Sequence, residues 1–180
     1  MPGRRARRSG EPRPTPNLDE KAARSAAFDL LARKSWSGRE LTRRLRRRGA
    51  PLEIAQAVVA DLTARGYVDD QAFARWWAEA RARGRRVGSR RLRQELAAKG
   101  IPREMAEAAI AAAFEEVGEA DRALEAARRR LTRGPRAAAR LADYLLRRGY
   151  PASAVRRAVR TLLAGRAGDL PAAEEDDGGV

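Results

Sequence analysis

The chain has 180 residues, and 39 Lys and Arg against 24 Asp and Glu give it a net charge of +15; it contains neither Cys nor His. Without cysteine there is no disulfide framework, thiolate nucleophile, iron–sulfur cluster or zinc finger. Without histidine there is no Ser-His-Asp triad, and the usual general base and commonest metal ligand are also missing.

In chain order, residues 1–16 are expected to form a disordered basic arm. They carry Arg4, Arg5, Arg7, Arg8 and Arg13 among prolines, with almost nothing apolar to bury. A first helix is expected from Asp19 to Lys34, with Phe28 and Leu31 inward. Ser37-Gly-Arg-Glu40 reads as a capping box that starts a second helix. Trp36, in the turn before it, is expected to bury against its own unit, with stacking on a base as the alternative. Helix three spans Glu53–Ala64 and is closed by Gly66-Tyr67-Val68. Asp69-Asp70 then caps a helix with Phe73 and Trp77 on one face and Trp76 more exposed. Gly84 and Gly88 are expected to loosen the link to the next helix, where Ser89 reads as a cap. Further on, Leu124 and Leu131 mark another helix, and Gly134-Pro135 starts its successor. From Gly165 the chain becomes an acidic tail with Asp169, Glu174, Glu175, Asp176 and Asp177. Arm and tail carry +4 and −4, so residues 17–164 hold the whole surplus.

An internal repeat organises this body. Leu45-Arg-Arg-Arg-Gly49-Ala-Pro51, Leu96-Ala-Ala-Lys-Gly100-Ile-Pro102 and Leu145-Leu-Arg-Arg-Gly149-Tyr-Pro151 are each preceded, four residues earlier, by Leu41, Leu92 or Leu141. Ile54, Met105 and Ala154 follow in register, as do Val59, Ile110 and Val159. Leucines at i and i+4 make one apolar helical face. Glycine supplies the left-handed residue that ends the helix, and proline suits the start of the next. The expected fold is all-α: three tandem three-helix repeats at 17–66, 67–117 and 118–164, stacked in an elongated, curved array. Longest apolar runs fall far short of the roughly 20 residues that span a bilayer, and no secretory signal is apparent. A cytoplasmic protein is expected.

No catalytic constellation stands out. Asp69-Asp70 and Glu115-Glu116 are adjacent pairs, which do not face each other on a helix. Neither a GxxxxGK[ST] nor a GxGxxG phosphate motif is present. The expectation is a non-enzymatic protein with no cofactor and no metal.

The arginines carry the functional signal. Arg43, Arg44, Arg47 and Arg48 flank and oppose the Leu41/Leu45 face. Arg85, Arg86, Arg90, Arg91 and Arg93 crowd the start of a helix, where positive charge opposes the macrodipole and hints at a bound anion. Arg147 and Arg148 continue the set. These eleven are the candidate residues for phosphate or acidic-protein binding, with a solvated face as the alternative. GC-rich coding bias is an alternative explanation of the excess of Arg over Lys, and a weaker one of the net charge. Helix three, with Glu53, Gln56 and Asp61 but no internal arginine, is a poor base-reading helix, so sequence-specific readout is not expected.

Ser37-Gly-Arg-Glu40-Leu41, Gly66-Tyr67-Val68-Asp69-Asp70 with Phe73-Ala74 and Trp77, the segment Gly88 to Leu96, Lys99-Gly100-Ile101, and Leu145-Leu-Arg147-Arg148-Gly149-Tyr150 occur in order over residues 20–163. This string resembles the RecX family. The resemblance implies a non-enzymatic modulator of the RecA recombinase that lies in the groove of the RecA–DNA filament and suppresses ATP hydrolysis and strand exchange. It thereby implies a place in homologous recombination, DNA repair and the SOS response. Implied partners are the RecA filament and single- and double-stranded DNA through phosphates, with no membrane, and a monomeric state. Which arginines make the contacts is not implied. Two alternatives are a sequence-nonspecific DNA-binding protein without a dedicated RecA partner, and a helical adaptor whose charge is coding bias. The acidic tail is a candidate to fold back on the basic body and compete with the polyanion.

Overall fold

A computed structural model describes residues 17–130 and 137–167 of the chain. The basic arm, Leu131, Gly134-Pro135 and residues 168–180 lie outside the described residues. Among those described there are nine helices and no strand: α1 Glu20–Leu31, α2 Gly38–Arg47, α3 Leu52–Ala64, α4 Asp70–Gly84, α5 Ser89–Ala98, α6 Arg103–Ala113, α7 Glu119–Arg128, α8 Ala137–Arg147 and α9 Ala152–Ala167. The chain divides into two compact units after Asp70.

The repeated Leu-x-x-x-Gly-x-Pro stretch forms the same structure three times. Leu41, Leu45, Leu92, Leu96, Leu141 and Leu145 are all buried. Gly49, Gly100 and Gly149 follow at φ +99°, +81° and +86°. Their N–H groups donate to Arg46, Ala97 and Leu146, and the next N–H reaches back to Leu45, Leu96 and Leu145 at 3.0–3.2 Å. That pair of bonds satisfies carbonyls the helix end would otherwise leave open. The residue after each glycine, Ala50, Ile101 or Tyr150, is buried against the helix it ends. Pro51 and Pro102 then stand at the N-cap positions of α3 and α6.

Apolar side chains gather into three clusters, one for each run of three helices. In the first unit Ala23, Ala26, Ala27 and Leu30 of α1 pack with Leu41, Leu45, Val58 and Leu62. Within the second unit one cluster centres on Phe73, Ala78, Leu92, Leu96 and Ile110, and another on Ala123, Ala127, Leu145, Tyr150 and Val155. Small residues on α1, α4 and α7 let the helices approach closely, as close-packed interiors require.

Three local expectations need correction. Phe28 does not point inward: it is 40% exposed and meets Tyr67 edge-on at 5.2 Å between ring centroids. The inward positions of α1 belong to Ala23, Ala26, Ala27 and Leu30. Asp70 is the first residue of α4, directly after Asp69, and its Oδ1 also accepts the N–H of Gly38 at 2.8 Å, at the start of α2. Ser89 is not a cap, since Gly88 holds the N-cap position of α5.

Gly88, finally, does not loosen anything. Its N–H donates to the carbonyl of Arg148 at 2.9 Å, and the Arg90 N–H donates to Gly149 at 3.0 Å. A Cβ on Gly88 would stand 2.4 Å from the nitrogen of Tyr150. The open N–H groups of α5 thus meet the open carbonyls of α8, positive helix end to negative. Glycine is there so that two backbones can touch.

Candidate nucleic-acid interface

Helix α2 has apolar residues only at Leu41 and Leu45. Of the other residues in Gly38–Arg47, five are arginines. Arg39, Arg43 and Arg46 recur at i, i+4 and i+7, a spacing that lines them up opposite the leucines. Together with Arg47 and Arg48 they line an open groove of about 1330 Å³, closed on the far side by Leu52 and Gln56 of α3 and by Asn17. Among the described residues no carboxylate lines this groove. Arg39, Arg43, Arg46 and Arg47 form no ion pair among the described residues. The Arg48 guanidinium donates to the carbonyl of Ala26 at 3.2 Å, which anchors that end of the row to α1.

Arg44 is not part of the groove. Its guanidinium lies 3.5 Å from the ring centroid of Trp36, and Lys34 Nζ lies 3.8 Å from the same ring. Trp36 is buried and donates its indole N–H to the carbonyl of Leu30 at 3.1 Å. Two cations on one ring are a packing arrangement as much as an electrostatic one. The loop tryptophan is thereby spoken for, as the burial reading expected.

In the second unit three of the seven candidate arginines, Arg86, Arg91 and Arg93, are paired with glutamates. Arg93 grips Glu107 through Nε and Nη2 at 2.5 and 2.9 Å, and this contact holds the Glu107 carboxyl below its ordinary range. Arg91 reaches Glu95 at 3.2 Å. Glu95 also takes both Arg81 Nε, at 2.8 Å, and the Trp77 indole N–H, at 3.1 Å. Burial opposes the charge on Glu95, but these donors prevail and its pKa is lowered. Arg86, at φ +48°, turns its side chain to Glu125, 3.6 Å away. The anion hinted at by the arginines at the start of α5 is therefore present in the chain itself: Glu119 accepts the Ser89 N–H at 2.6 Å. Arg85 and Arg90 are exposed and outside these pairs. So is Arg147, whereas Arg148 spans to the carbonyl of Arg85 at 2.5 Å and lies 5.3 Å from the Tyr144 ring.

Of the eleven candidates, the structure brings Arg43, Arg47 and Arg48 together in one groove and adds Arg39 and Arg46, which composition alone did not single out. Their signal was available, since the i, i+4, i+7 spacing opposite Leu41 marks them as the centre of the outward face. Arg122 was also missed. It is 7% exposed and donates to the carbonyls of Ala113 and Val117 at 3.3 Å, closing the end of α6. Among the described residues no group of acidic side chains is placed to hold a metal, and no helix is long and apolar enough to cross a membrane.

Comparison with known proteins agrees with this architecture. Residues 23–62 match the model of the first three-helix domain of RecX, and residues 69–110 match that of its second. Regulatory protein RecX of Streptomyces coelicolor is 34% identical over 158 residues, covering 86% of this chain and 82% of its own length. That of Thermobifida fusca is 37% identical over 160 residues, covering 85% and 86%. In fold, the crystal structure of RecX from Lactobacillus salivarius superposes with a TM-score of 0.69 at 15% identity, over 81% of this chain and 97% of the other. With a family model on each of the first two helix triplets and relatives aligned over most of its length, the chain belongs to the RecX family of regulatory proteins.

Proposed function

We propose that this chain regulates recombination by occupancy: it binds the RecA–DNA filament and inhibits RecA ATPase and strand exchange without doing chemistry of its own. One observation carries the reading. On a chain of the RecX family, α2 presents four arginines that have no ion-pair partner among the described residues, along a groove that no described carboxylate lines. Desolvating and pairing them requires anions from outside, and phosphates or acidic side chains on a filament supply them. Arg43, Arg47 and Arg48 are the groove contacts on this reading, with Arg39 and Arg46. Arg85, Arg90 and Arg147 are exposed additions. Arg44, Arg86, Arg91, Arg93 and Arg148 act indirectly, by holding the fold. The helix triplets at 17–66, 67–117 and 118–164 are the units that make successive contacts, and the protein acts in the cytoplasm as a monomer.

The test adds the protein at stoichiometric amounts to RecA filaments and follows ATP hydrolysis and strand exchange. Both are expected to fall, and Arg39→Glu with Arg43→Glu and Arg46→Glu is expected to restore them. Unchanged RecA activities at saturation would refute the reading. Tight binding to naked DNA, with no preference for the filament, would favour a sequence-nonspecific DNA-binding protein instead.

A further inference from the structure

The three tryptophans of this chain have different surroundings. Trp36 is buried and Trp77 half-buried, whereas Trp76 is 57% exposed. On α4 the inward face belongs to Phe73, Ala74 and Ala78, and Trp76 lies beside it. The ring is nevertheless held in place. Trp77 meets it at 65° with centroids 6.1 Å apart, and Phe73 at 53° and 6.2 Å. Neither ring lies parallel to the indole, so both contacts steady it without stacking on it. Lysines and arginines lie over Trp36, Phe73, Trp77, Phe114 and Tyr144. Among the described residues no cation lies over Trp76.

The surroundings of the ring suit a planar ligand with a negative charge attached. Ala72 and Ala80, one turn to either side on α4, are exposed and too small to wall it off. Arg75, the preceding residue, is exposed and forms no ion pair among the described residues. Glu79, three residues on, is engaged by Arg83 at 3.4 Å, which blunts its repulsion of an anion. A nucleotide has both parts of the match: a flat base for the indole and a phosphate for the guanidinium. An acidic peptide would satisfy Arg75 and leave the indole face in water. A duplex stacks its bases on one another, so a single strand is the form that offers a base to a ring.

We infer that Trp76 is a stacking platform for a base of single-stranded nucleic acid, with Arg75 as the neighbouring phosphate contact. Stacking of this kind tolerates any base, because every base has a π-face. Phosphates along α2 are common to single strands and duplexes; the contact at Trp76 is not. The ring therefore supplies a preference for single strands that the charge alone does not give. This inference goes beyond the charge contacts proposed above, and it stands whether or not RecA is the partner.

The experiment titrates the full chain with oligothymidylate and with a duplex of equal length, following tryptophan fluorescence and the anisotropy of labelled DNA. The single strand is expected to quench the fluorescence, and the duplex to leave it near its starting value. Trp76→Phe should remove the quench yet keep most of the affinity, because a phenyl ring still stacks. Trp76→Ala should weaken single-strand binding by roughly five- to tenfold, the lower part of the range for one base on one ring, and leave duplex binding unchanged. Arg75→Gln should lower the salt slope by about one, the share of a single phosphate. No quench in the parent chain, a quench that survives in Trp76→Phe, or equal single-strand affinity of Trp76→Ala and the parent overturns the proposal. So does a Trp76→Ala variant that keeps the single strand but loses RecA protein in the absence of DNA, since the ring is then a protein contact. None of these readouts uses RecA inhibition, so the two readings fail separately.

Discussion

An arginine in this fold has three possible neighbours: a carboxylate, a ring or carbonyl, or solvent. Arg93 and Glu107 illustrate the first, Arg44 on Trp36 and Arg122 on the end of α6 the second, and Arg43 the third. Only the last kind is available to a partner without a compensating loss. Glycine shows the same dependence on surroundings. Gly149 combines φ +86° with an approach in which its Cβ would stand 2.4 Å from the Cβ of Arg91; Gly88 has ordinary dihedrals and is needed only for the approach. Gly88→Ala is therefore expected to destabilise the second unit by about 1–3 kcal/mol, the cost of forcing a group into a filled space. Hydrogen exchange gives the check. Amides of Leu92, Leu96 and Leu145 should lose protection, and those of Leu41, Leu45 and Val58 should keep it. Equal loss in both units would mean that the close approach at Gly88 is not what the substitution breaks. The left-handed role of Gly149 was legible in the sequence, because a leucine pair, a glycine and a proline in register define a helix end by themselves. The role of Gly88 was not, because the backbone it touches lies some sixty residues away.

At the scale of the element, three topologically equivalent helices have diverged on one plan. Each of α2, α5 and α8 buries two leucines four residues apart and ends at a left-handed glycine. The outer face is arginine on α2. On α5 two of the arginines pair with glutamates of α5 and α6, and on α8 the outer face is partly apolar. Periodicity showed the inner face of all three, since leucine spacing is a local property. It did not separate the outer faces, because Arg93 and Glu107 are 14 residues apart and their pairing depends on how α5 and α6 cross. The difference predicts opposite consequences for the same charge reversal. Arg39→Glu, Arg43→Glu and Arg46→Glu together should lower the slope of log Kd against log salt for duplex DNA by about 2 to 3, roughly one for each phosphate no longer neutralised. Thermal stability should be unchanged or slightly raised, because like charges along α2 are relieved. Arg91→Glu with Arg93→Glu should leave the slope near its starting value and lower the melting temperature, since Glu95 and Glu107 lose their partners. Anisotropy titrations at several salt concentrations, with a thermal melt of each variant, decide it. Equal slopes in the two variants would move the interface away from α2.

On the scale of the whole molecule, the +15 charge is a poor guide until it is assigned to positions. Residues 1–16 and 165–180 cancel in number, yet they join different units. Asn17 lines the arginine groove, and the N–H of Leu18 donates to the carbonyl of Gly49 at 3.2 Å, so the basic arm begins at the rim of that groove. In sequence that arm adds five arginines directly before Asn17, a second source of positive charge for the anion that α2 would take. Deleting residues 1–16 is expected to weaken nucleic-acid binding at low salt and to reduce the salt slope by up to about 4, in keeping with the arm's net charge. The melting temperature should not change, because the arm supplies nothing apolar to the core. Binding measured between low and moderate salt with the full chain, the arm deletion and the α2 triple variant separates the contributions. If arm and groove touch the same strand, the two deficits add in the slope. If the arm deletion alone abolishes the salt dependence, the arm is the interface and the groove on α2 is a solvated face.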